Sequence, residues 1–562
     1  VILIKIIYNY IISELIENLI KMHIKFNFII LIVLNISSFF CHRCGADALI
    51  KKMNLKRTLI PSNKINKRKL DDEYTSINIK IDYNIFEKQK NEGKISNDNY
   101  QKYKLELDKL AIYINKIIAV QHESFDSNLL SLINNYCKIP ITNLGEIDQY
   151  DLIIFPTLDL EGQFIGEGIL AAASSCIHSQ YNNRPIVGVI FLNKELNTKL
   201  DIEHYIKNAL LHELFHILGF NVMFFNQSYE ENNYKYLNSP KLLEKARIHF
   251  GCNDIKGLRL EDQGEIGTKG SHWDARYMQG ELMIGEDYTE VVLSDMTLAF
   301  LEDLGFYKIK YYTGGLFRFG KNQGCAFLQK NCVYNEGRNS LFPNEFCTDS
   351  TSPFCTGSHT SKGTCYIVKY SEKVVPKQYQ YYTEPAAGGK VLPDYCPISF
   401  YNYEDNYYNY PTNCNYGKKE NSDEIIGSNS LCFESSVNLD IKTSICYEIE
   451  CDKVNKRIKV NIGGKSIICP GKKMEMSNPE GLKGYLSCPD YNMVCTSDKW
   501  CNNMFDCIDQ QSESDLNTYD FISNRKELEE RDKENLLNGC FKIEHNWIYL
   551  VIYLIIIISI IF

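Results

Sequence analysis

Cysteine is distributed unevenly along the chain, and this distribution limits the folds available to its C-terminal half. Of the 21 cysteines in 562 residues, only five lie before residue 300. Such a density favours an oxidising compartment, where disulfides persist. After about residue 310, the segments are short and are interrupted by Cys, Pro, Gly, Asn and Tyr. We therefore predict a loop-rich, mostly β, disulfide-rich domain over 325–510.

Composition and charge narrow the range of partners. Hydrophobic residues make up 44% of the chain and charged residues 23%, as in ordinary globular proteins. The length predicts about three to four structural units. The 61 Lys and Arg residues against 70 Asp and Glu give a net charge of −9. Because no basic field covers such a molecule, we do not expect it to bind nucleic acid.

The N-terminal segment has the layout of a secretory signal peptide. From Met22, a short basic region is followed by an apolar run, Phe26–Phe40, with two serines near its end. The alternative, a membrane-spanning anchor, needs about 18 to 20 apolar residues. We predict a signal peptide within 1–41, starting at 22, and then a polar pro-segment over 42–69. The basic triplet Lys67-Arg68-Lys69 is either its processing site or part of a solvated loop.

The C-terminal segment is apolar as well. Trp547–Phe562 is an unbroken apolar run with no basic cluster after it, preceded by small residues near Asn538. This pattern is typical of a GPI-attachment signal with a short spacer, and a single transmembrane anchor is the alternative. The charged segment 511–537 fits a stalk. We therefore expect a protein that is secreted or held by 538–562 at the extracellular face of the plasma membrane.

The segment 70–219 shows the order of elements of an open α/β sheet. Ser76–Tyr83 alternates as a half-buried strand should, and apolar residues recur at helical spacing over Tyr100–Val120. Asp151–Phe155 and Ile186–Phe191 have the composition of buried strands, and a second helix is predicted over Ile202–Gly219. This order favours an α/β or α+β catalytic subdomain.

The second helix contains the pentad His212-Glu213-Leu-Phe-His216. Histidines four residues apart lie on one helix face, so both imidazoles can reach one zinc ion, and Glu213 is then placed to deprotonate a water. The alternative is two surface histidines on an apolar helix. Because the flanking residues are apolar, the polar side chains would interrupt a buried face and need a partner. We therefore predict a single catalytic zinc ion with Glu213 as the general base.

A catalytic zinc ion usually has three protein ligands. Six residues after the second histidine, where the short metzincin arrangement has its third, the chain has Val222. The next histidines are His249 and His272, of which His249 lies in a helical stretch and fits a surface or packing role. A different class of zinc peptidase could use Glu230 or Glu231 as the third ligand.

Several motifs, in order, resemble the leishmanolysin family of metzincin zinc peptidases, which includes invadolysin. They are His212-Glu213-Leu-Phe-His216-Ile-Leu-Gly219-Phe220, Gly251-Cys252, Glu261-Asp262-Gln263-Gly264, Gly270-Ser271-His272-Trp273, Glu281-Leu282-Met283, Asp303-Leu304-Gly305-Phe306-Tyr307 and Gly324-Cys325. Upstream, Ala172–Cys176 and Arg184–Val189 are also similar to that family. The resemblance covers roughly residues 150 to 335.

This resemblance implies a metzincin-type catalytic domain and roles for particular residues. His272 would be the third zinc ligand, after an insertion over 220–271, and Met283 the Met-turn residue beneath the metal. The segment 220–324 would thus contain the insertion, the third ligand and the Met-turn. Ile186–Phe191 would be the sheet edge that pairs with an extended substrate, and an interior strand is the alternative.

Cys44 follows His42-Arg43 and resembles the pro-segment cysteine that occupies the open zinc position in this family before activation. A thiolate is a strong zinc ligand and would displace the catalytic water. A disulfide between Cys44 and Cys41 is the alternative. Without Cys41, Cys44 and Cys540, 18 of the 21 cysteines remain in the mature body, enough for nine disulfides.

The sequence therefore predicts a zinc-dependent endopeptidase, made as a zymogen, that hydrolyses protein or peptide substrates and has a role in cell adhesion. The alternative is a catalytically inactive, cysteine-rich surface adhesion protein. The intact Glu213 argues against this alternative, because a binding module needs no base beside the metal.

Overall fold

The computed structural model describes residues 58–60, 74–123, 129–160, 171–193, 203–264, 267–286, 291–310, 317–371, 375–401, 412–415, 417, 419–452, 454–469, 474–477 and 481–495. The predicted signal peptide, Cys44, the stalk and the C-terminal apolar segment lie outside these residues and stay predictions. Among the helices that the structure describes, none is both long and apolar enough to cross a membrane.

The chain up to the end of the helix with the two histidines contains both strands and helices. Its elements are β1 (Thr58–Ile60), β2 (Thr75–Ser76), β3 (Ile79–Ile81), α1 (Asn84–Asn91), α2 (Asn97–Ile117), β4 (Ile118–Val120), α3 (Leu129–Leu132) with a π-helical turn (Ile133–Cys137), β5 (Leu152–Asp159), β6 (Ala171–Ser179), β7 (Pro185–Asn193) and α4 (Glu203–Leu218). Two short strands, β2 and β3, thus replace the single strand predicted over Ser76–Tyr83.

Helix α2 forms where the spacing of apolar residues predicts a helix. The Ser96 side chain caps it by accepting a hydrogen bond from the backbone N–H of Asn99 at 3.2 Å. Its predicted apolar face, with Leu107, Leu110 and Ile114, is buried in the main core. The prediction extends this helix to Val120, but Ile118–Val120 is strand β4, between β2 and β11 (Lys308–Ile309). Three successive residues are buried there, which fits a strand covered on both faces and not one side of a helix.

A five-stranded mixed sheet in the order β1-β6-β7-β5-β3 forms the centre of this part. Strands β3, β5 and β7 are parallel, β6 is antiparallel to β7, and β1 is parallel to β6. Side chains of α2 and α4 pack on one face of the sheet, and those of α3 and the following turn pack on the other. Burial on both faces explains why the strands have continuous apolar sequences.

The prediction that Ile186–Phe191 forms the sheet edge is wrong. This segment belongs to β7, which pairs with β5 on one side and with β6 on the other. The long strand nearest the edge is β6, whose small residues at its start give little strand signal. Strand β1 pairs with β6 only over Ile177–Ser179. Within the described residues, Ala171–Cys176 has no strand partner on its outer side.

Helix α4 lies directly against the sheet at Gly188 in β7. A Cβ atom at this position would lie 2.5 Å from Cγ2 of Ile217 on α4, closer than real Cβ contacts. The absence of a side chain therefore lets the helix approach the strand. The helix ends at Leu218, and Gly219 follows with φ +127°, a conformation that favours glycine.

The middle of the chain contains a small sheet and three helices. Its elements are β8 (Ser228–Glu231), β9 (Tyr234–Leu237), α5 (Pro240–Phe250), β10 (Leu258–Arg259), α6 (Ala275–Met278), α7 (Asp295–Asp303) and β11. Strands β8, β9 and β10 form an antiparallel sheet within the predicted insertion over 220–271.

The remaining residues form a disulfide-rich region that is mostly β and loop, as predicted. Its elements are α8 (Cys325–Gln329), β12 (Pro353–Cys355), β13 (Lys362–Cys365), β14 (Val368–Lys369), a 3₁₀ turn (Lys377–Tyr379), β15 (Ala387–Gly388), β16 (Ser399–Tyr401), β17 (Ser430–Ser435), β18 (Thr443–Asp452), β19 (Arg457–Ile462), β20 (Lys465–Cys469), β21 (Met474–Ser477), β22 (Lys483–Leu486) and α9 (Tyr491–Val494). The largest sheet has the order β20-β19-β18-β17-β22-β21.

Eight disulfides join the described cysteines. They are Cys137–Cys176, Cys252–Cys325, Cys332–Cys396, Cys347–Cys365, Cys355–Cys432, Cys414–Cys446, Cys451–Cys495 and Cys469–Cys488. A ninth disulfide would need Cys501 and Cys507, which lie outside the described residues. The predicted ninth disulfide therefore stays a prediction.

Candidate active site

Three histidines from two distant parts of the chain meet beside helix α4. His212 and His216 lie one turn apart on that helix, and His272 lies in the loop before α6. The Nε2 atoms of His212 and His216 are 3.0 Å apart, and each is 3.2 Å from Nε2 of His272. Nitrogen ligands about 2.0 to 2.1 Å from one tetrahedral zinc ion would lie about 3.3 Å apart. The spacing of the three atoms therefore matches the requirement of one metal ion.

The other ring nitrogen of each histidine faces a backbone carbonyl. Nδ1 of His212 lies 2.6 Å from the carbonyl oxygen of Leu282, Nδ1 of His216 lies 2.6 Å from that of Phe220, and Nδ1 of His272 lies 2.9 Å from that of Thr268. A carbonyl oxygen only accepts, so each Nδ1 donates and each Nε2 of the neutral ring carries a lone pair. Three lone pairs that converge cannot hydrogen-bond to one another, and a cation satisfies all three.

Burial keeps these imidazoles in the neutral form that binds metal. His212 is 9% exposed, and His216 and His272 are 0% exposed. Burial lowers the pKa of His212 to about 4 and that of His272 to about 3. Burial, and then the two neighbouring histidines, hold the pKa of His216 well below its ordinary value. The three rings therefore need no deprotonation near neutral pH, and the donor set fits zinc.

Glu213 follows His212 on α4 and is 3% exposed. In a pentad of this kind, a carboxylate directly after the first histidine can take a proton from water. The structure thus brings together the three predicted ligands, His212, His216 and His272, and buries Glu213 on the helix that carries two of them.

Met283 lies in a tight loop that also contributes to the histidine site. It is fully buried, and its carbonyl accepts a hydrogen bond from the backbone N–H of Trp273 at 2.9 Å. The preceding residue, Leu282, supplies the carbonyl that orients His212. This loop therefore links the neighbourhood of His272 to the ring of His212.

Glu281 is a buried residue of this loop, and its place in the motif Glu281-Leu282-Met283 predicted no role for it. Its carboxylate accepts hydrogen bonds from the backbone N–H groups of Met283 and Ser294 and from the hydroxyls of Ser294 and Thr297. Burial raises its pKa to about 7. The backbone carbonyls that hold the three imidazoles were also missed, because every residue has a carbonyl and sequence gives no signal for its direction.

The other candidate ligands lie elsewhere. His249 is buried on α5, its Nε2 donates to the carbonyl of Phe319 at 2.8 Å, and its ring stacks on Phe317. It is therefore a packing residue, one of the two roles expected of it. Glu230 and Glu231 are exposed on β8, and neither belongs to the group of possible metal ligands formed by the three histidines.

Comparison with known proteins identifies a family and several relatives. The family profile described as leishmanolysin (peptidase M8) matches residues 135–502. A leishmanolysin homolog of Crithidia fasciculata is 30% identical over 59% of this chain and 53% of its own length. Leishmanolysin of Leishmania chagasi is 29% identical over 58% of each chain. The leishmanolysin-like peptidase of Drosophila melanogaster is 29% identical over 46% of this chain and 43% of its own length.

The aligned part thus spans little more than half the length of the first two relatives. The family match covers more than half of this chain and includes the three histidines, Glu213 and Met283. The chain belongs to the leishmanolysin family.

Proposed function

We propose that the chain is a zinc-dependent metalloendopeptidase with a metzincin-type catalytic domain. His212, His216 and His272 would bind the zinc ion, and Met283 would lie in the Met-turn beneath it. The observation that carries this proposal is the convergence of three Nε2 atoms, two of them on a helix that also carries the buried Glu213. The relatives support the same activity, since they are named as leishmanolysins and leishmanolysin-like peptidases. They give no support to the alternative of an inactive adhesion protein.

The reaction would be hydrolysis of a peptide bond. When bound, zinc would supply Lewis acidity to the scissile carbonyl and to water. Glu213 would accept a proton from water as the water oxygen attacks the carbonyl carbon. When the carbon–nitrogen bond breaks, Glu213 would return that proton to the leaving amine. The carbonyls of Leu282, Phe220 and Thr268 would keep the imidazoles in the required tautomer throughout.

The substrate would be an extended stretch of protein. Strand β6 is the long strand nearest the sheet edge, and α4 packs against it. Backbone groups on the outer side of Ala171–Cys176 would pair with the substrate backbone, as an unpaired strand edge does in peptide recognition. We assign the pairing with substrate to β6 and not to β7, because β7 is an interior strand.

The location and activation of the enzyme belong to the same proposal. A signal peptide before residue 42 would direct it to secretion, and 538–562 would attach it to the membrane as a GPI signal or a transmembrane anchor. Cys44 would hold the zymogen inactive until the pro-segment is removed. The eight disulfides are consistent with an oxidising compartment. A role in cell adhesion also stays part of this proposal.

The direct test compares casein cleavage by the full chain, secreted from a eukaryotic host and processed, with that of Glu213→Gln. The amide keeps the size of the side chain and removes the base, so we expect turnover to fall by about 10²- to 10⁴-fold at unchanged zinc content. Glu230→Gln, on the exposed strand β8, is the matched control and should keep full activity. Equal cleavage by Glu213→Gln, or none by the zinc-loaded wild type, would contradict the proposal.

A further inference from the structure

Arg259 lies at the centre of a buried cluster of carboxylates close to the third histidine. Its side chain is 7% exposed. Its Nε lies 2.6 Å from Oδ2 of Asp274 and its Nη2 lies 2.8 Å from Oδ2 of Asp394. Nη2 also forms an ion pair with Asp262. One planar guanidinium therefore contacts three carboxylates at once, which its fork of donors allows.

The partners of Arg259 come from separate regions of the chain. Asp262 follows β10 in the predicted insertion, Asp274 is two residues after His272, and Asp394 belongs to the disulfide-rich region. The hydroxyl of Tyr379, also in that region, accepts a hydrogen bond from Nη2 at 3.2 Å. The guanidinium lies 3.8 Å from the ring centre of Tyr234 on β9. These contacts join the insertion, the His272 loop and the disulfide-rich region at one residue.

The backbone of the His272 loop is hydrogen-bonded to the segment 259–261, which contains Arg259. The N–H of Glu261 donates to the carbonyl of His272 at 2.9 Å, and the N–H of Asp274 donates to the carbonyl of Arg259 at 3.2 Å. The loop is thus held on both sides of its histidine, by backbone bonds to 259–261 and by the ion pair with Asp274. Displacement of Arg259 would move the segment from which the third imidazole projects.

The three aspartates have the spacing of a possible metal site, since one oxygen of each lies within 4.8 Å of the others. Arg259 already contacts all three of them, so the guanidinium supplies the positive charge that a divalent cation would bring. The cluster is therefore part of the protein framework and not a second metal centre.

We propose that Arg259 is a positioning residue of the metal centre. It fixes the loop 270–274 against the segment 259–261, and through Asp394 it makes the disulfide-rich region a structural support of the third ligand. It is not one of the three proposed ligands, and it acts through His272. This inference rests on the proposed zinc site, and its consequence is that a residue outside the ligand set controls metal affinity.

The test measures zinc affinity of the full chain by competition with a chromophoric chelator, together with the visible spectrum of the Co²⁺-loaded protein. In Arg259→Met we expect zinc to bind about tenfold more weakly, the low end of the effect of groups that orient ligands. The Co²⁺ spectrum should change as well, because the position of the His272 ligand would change. Lys362→Met is the matched control. It removes another buried cation, paired with Glu424 at 2.9 Å in the disulfide-rich region, and should leave both measurements unchanged.

Arg259→Lys is a second variant that tests the inference if Arg259→Met does not fold. Lysine keeps the charge but cannot span three carboxylates with one planar group, so we expect a smaller loss of zinc affinity in a folded protein. Wild-type affinity and Co²⁺ spectrum in a folded Arg259→Met, or in Arg259→Lys if the first variant is unfolded, would overturn the inference. An equal loss in Lys362→Met would also overturn it, since the effect would then be general destabilisation. Wild-type protein that binds no zinc would contradict the proposed function itself.

Discussion

Gly188→Ala should disturb the metal site without touching any of its residues. The added Cβ would lie 2.5, 2.8 and 2.9 Å from three side-chain atoms of Ile217 on α4, where ordinary contact begins at 3.4 Å. Strand and helix would have to separate by about 1 Å, because a buried isoleucine in a close-packed core has nowhere to turn. Overpacking of this kind costs about 1 to 3 kcal/mol. Ile217 follows His216 directly, so a displacement of Ile217 would also move His216 on α4.

The assay combines the urea midpoint of unfolding with cleavage of a peptide substrate. We expect a lower midpoint in Gly188→Ala and turnover reduced by up to about 10²-fold, the effect of roughly 1 Å of misplacement at a reacting centre. Gly427→Ala is the matched control, since a Cβ there meets open space and its backbone is not left-handed. Adding Ile217→Ala removes all three clashing atoms, so the two substitutions should together cost less than the sum of their separate effects. Wild-type stability and turnover in Gly188→Ala would refute the packing that we infer between β7 and α4.

Two further predictions concern a buried carboxyl and the cysteines. Burial raises the pKa of Glu345 to about 8, so the folded state binds the carboxyl proton more tightly than the unfolded state does. The contribution of this proton to the free energy of unfolding is complete below about pH 4.5. It is lost as the pH rises toward 8. At about 1.4 kcal/mol for each pKa unit, the loss is of order several kcal/mol. With metal removed by a chelator from both proteins, the unfolding midpoint of Glu345→Gln should therefore depend less on pH than that of wild type. Mass spectrometry of the unreduced, processed protein should find the eight disulfides and a ninth between Cys501 and Cys507, whereas a free thiol in the mature body would contradict the processing scheme.

Sequence predicted best those features that depend on neighbouring residues. The limits of α4 differ by one residue at each end from the predicted helix, because the apolar flanks of His212 and the following Gly219 mark it locally. The spacing of histidines along the sequence did not by itself decide between His249 and His272 as the third ligand. The resemblance to the family favoured His272, and the structure places this residue beside the other two.

Features that depend on distant partners were not predictable in the same way. Strand β6 begins with small residues that have weak strand preference, so its position near the sheet edge could be learned only from its pairing with β7. The contacts of Arg259 connect positions up to 135 residues apart, and nothing near Arg259 in the sequence indicates Asp394 as a partner. The carbonyl of Leu282 points at His212 because of tertiary packing across 70 residues.

Zinc content measured by mass spectrometry in wild type, His272→Ala and His249→Ala tests the proposed metal centre most directly. Wild type and His249→Ala should each retain one zinc ion per chain after dialysis, because the His249 ring packs against Phe317 and donates to the carbonyl of Phe319. His272→Ala should lose the metal, since two imidazoles remain where three converge. Full zinc occupancy in His272→Ala, or loss of zinc in a folded His249→Ala, would contradict the three-histidine site.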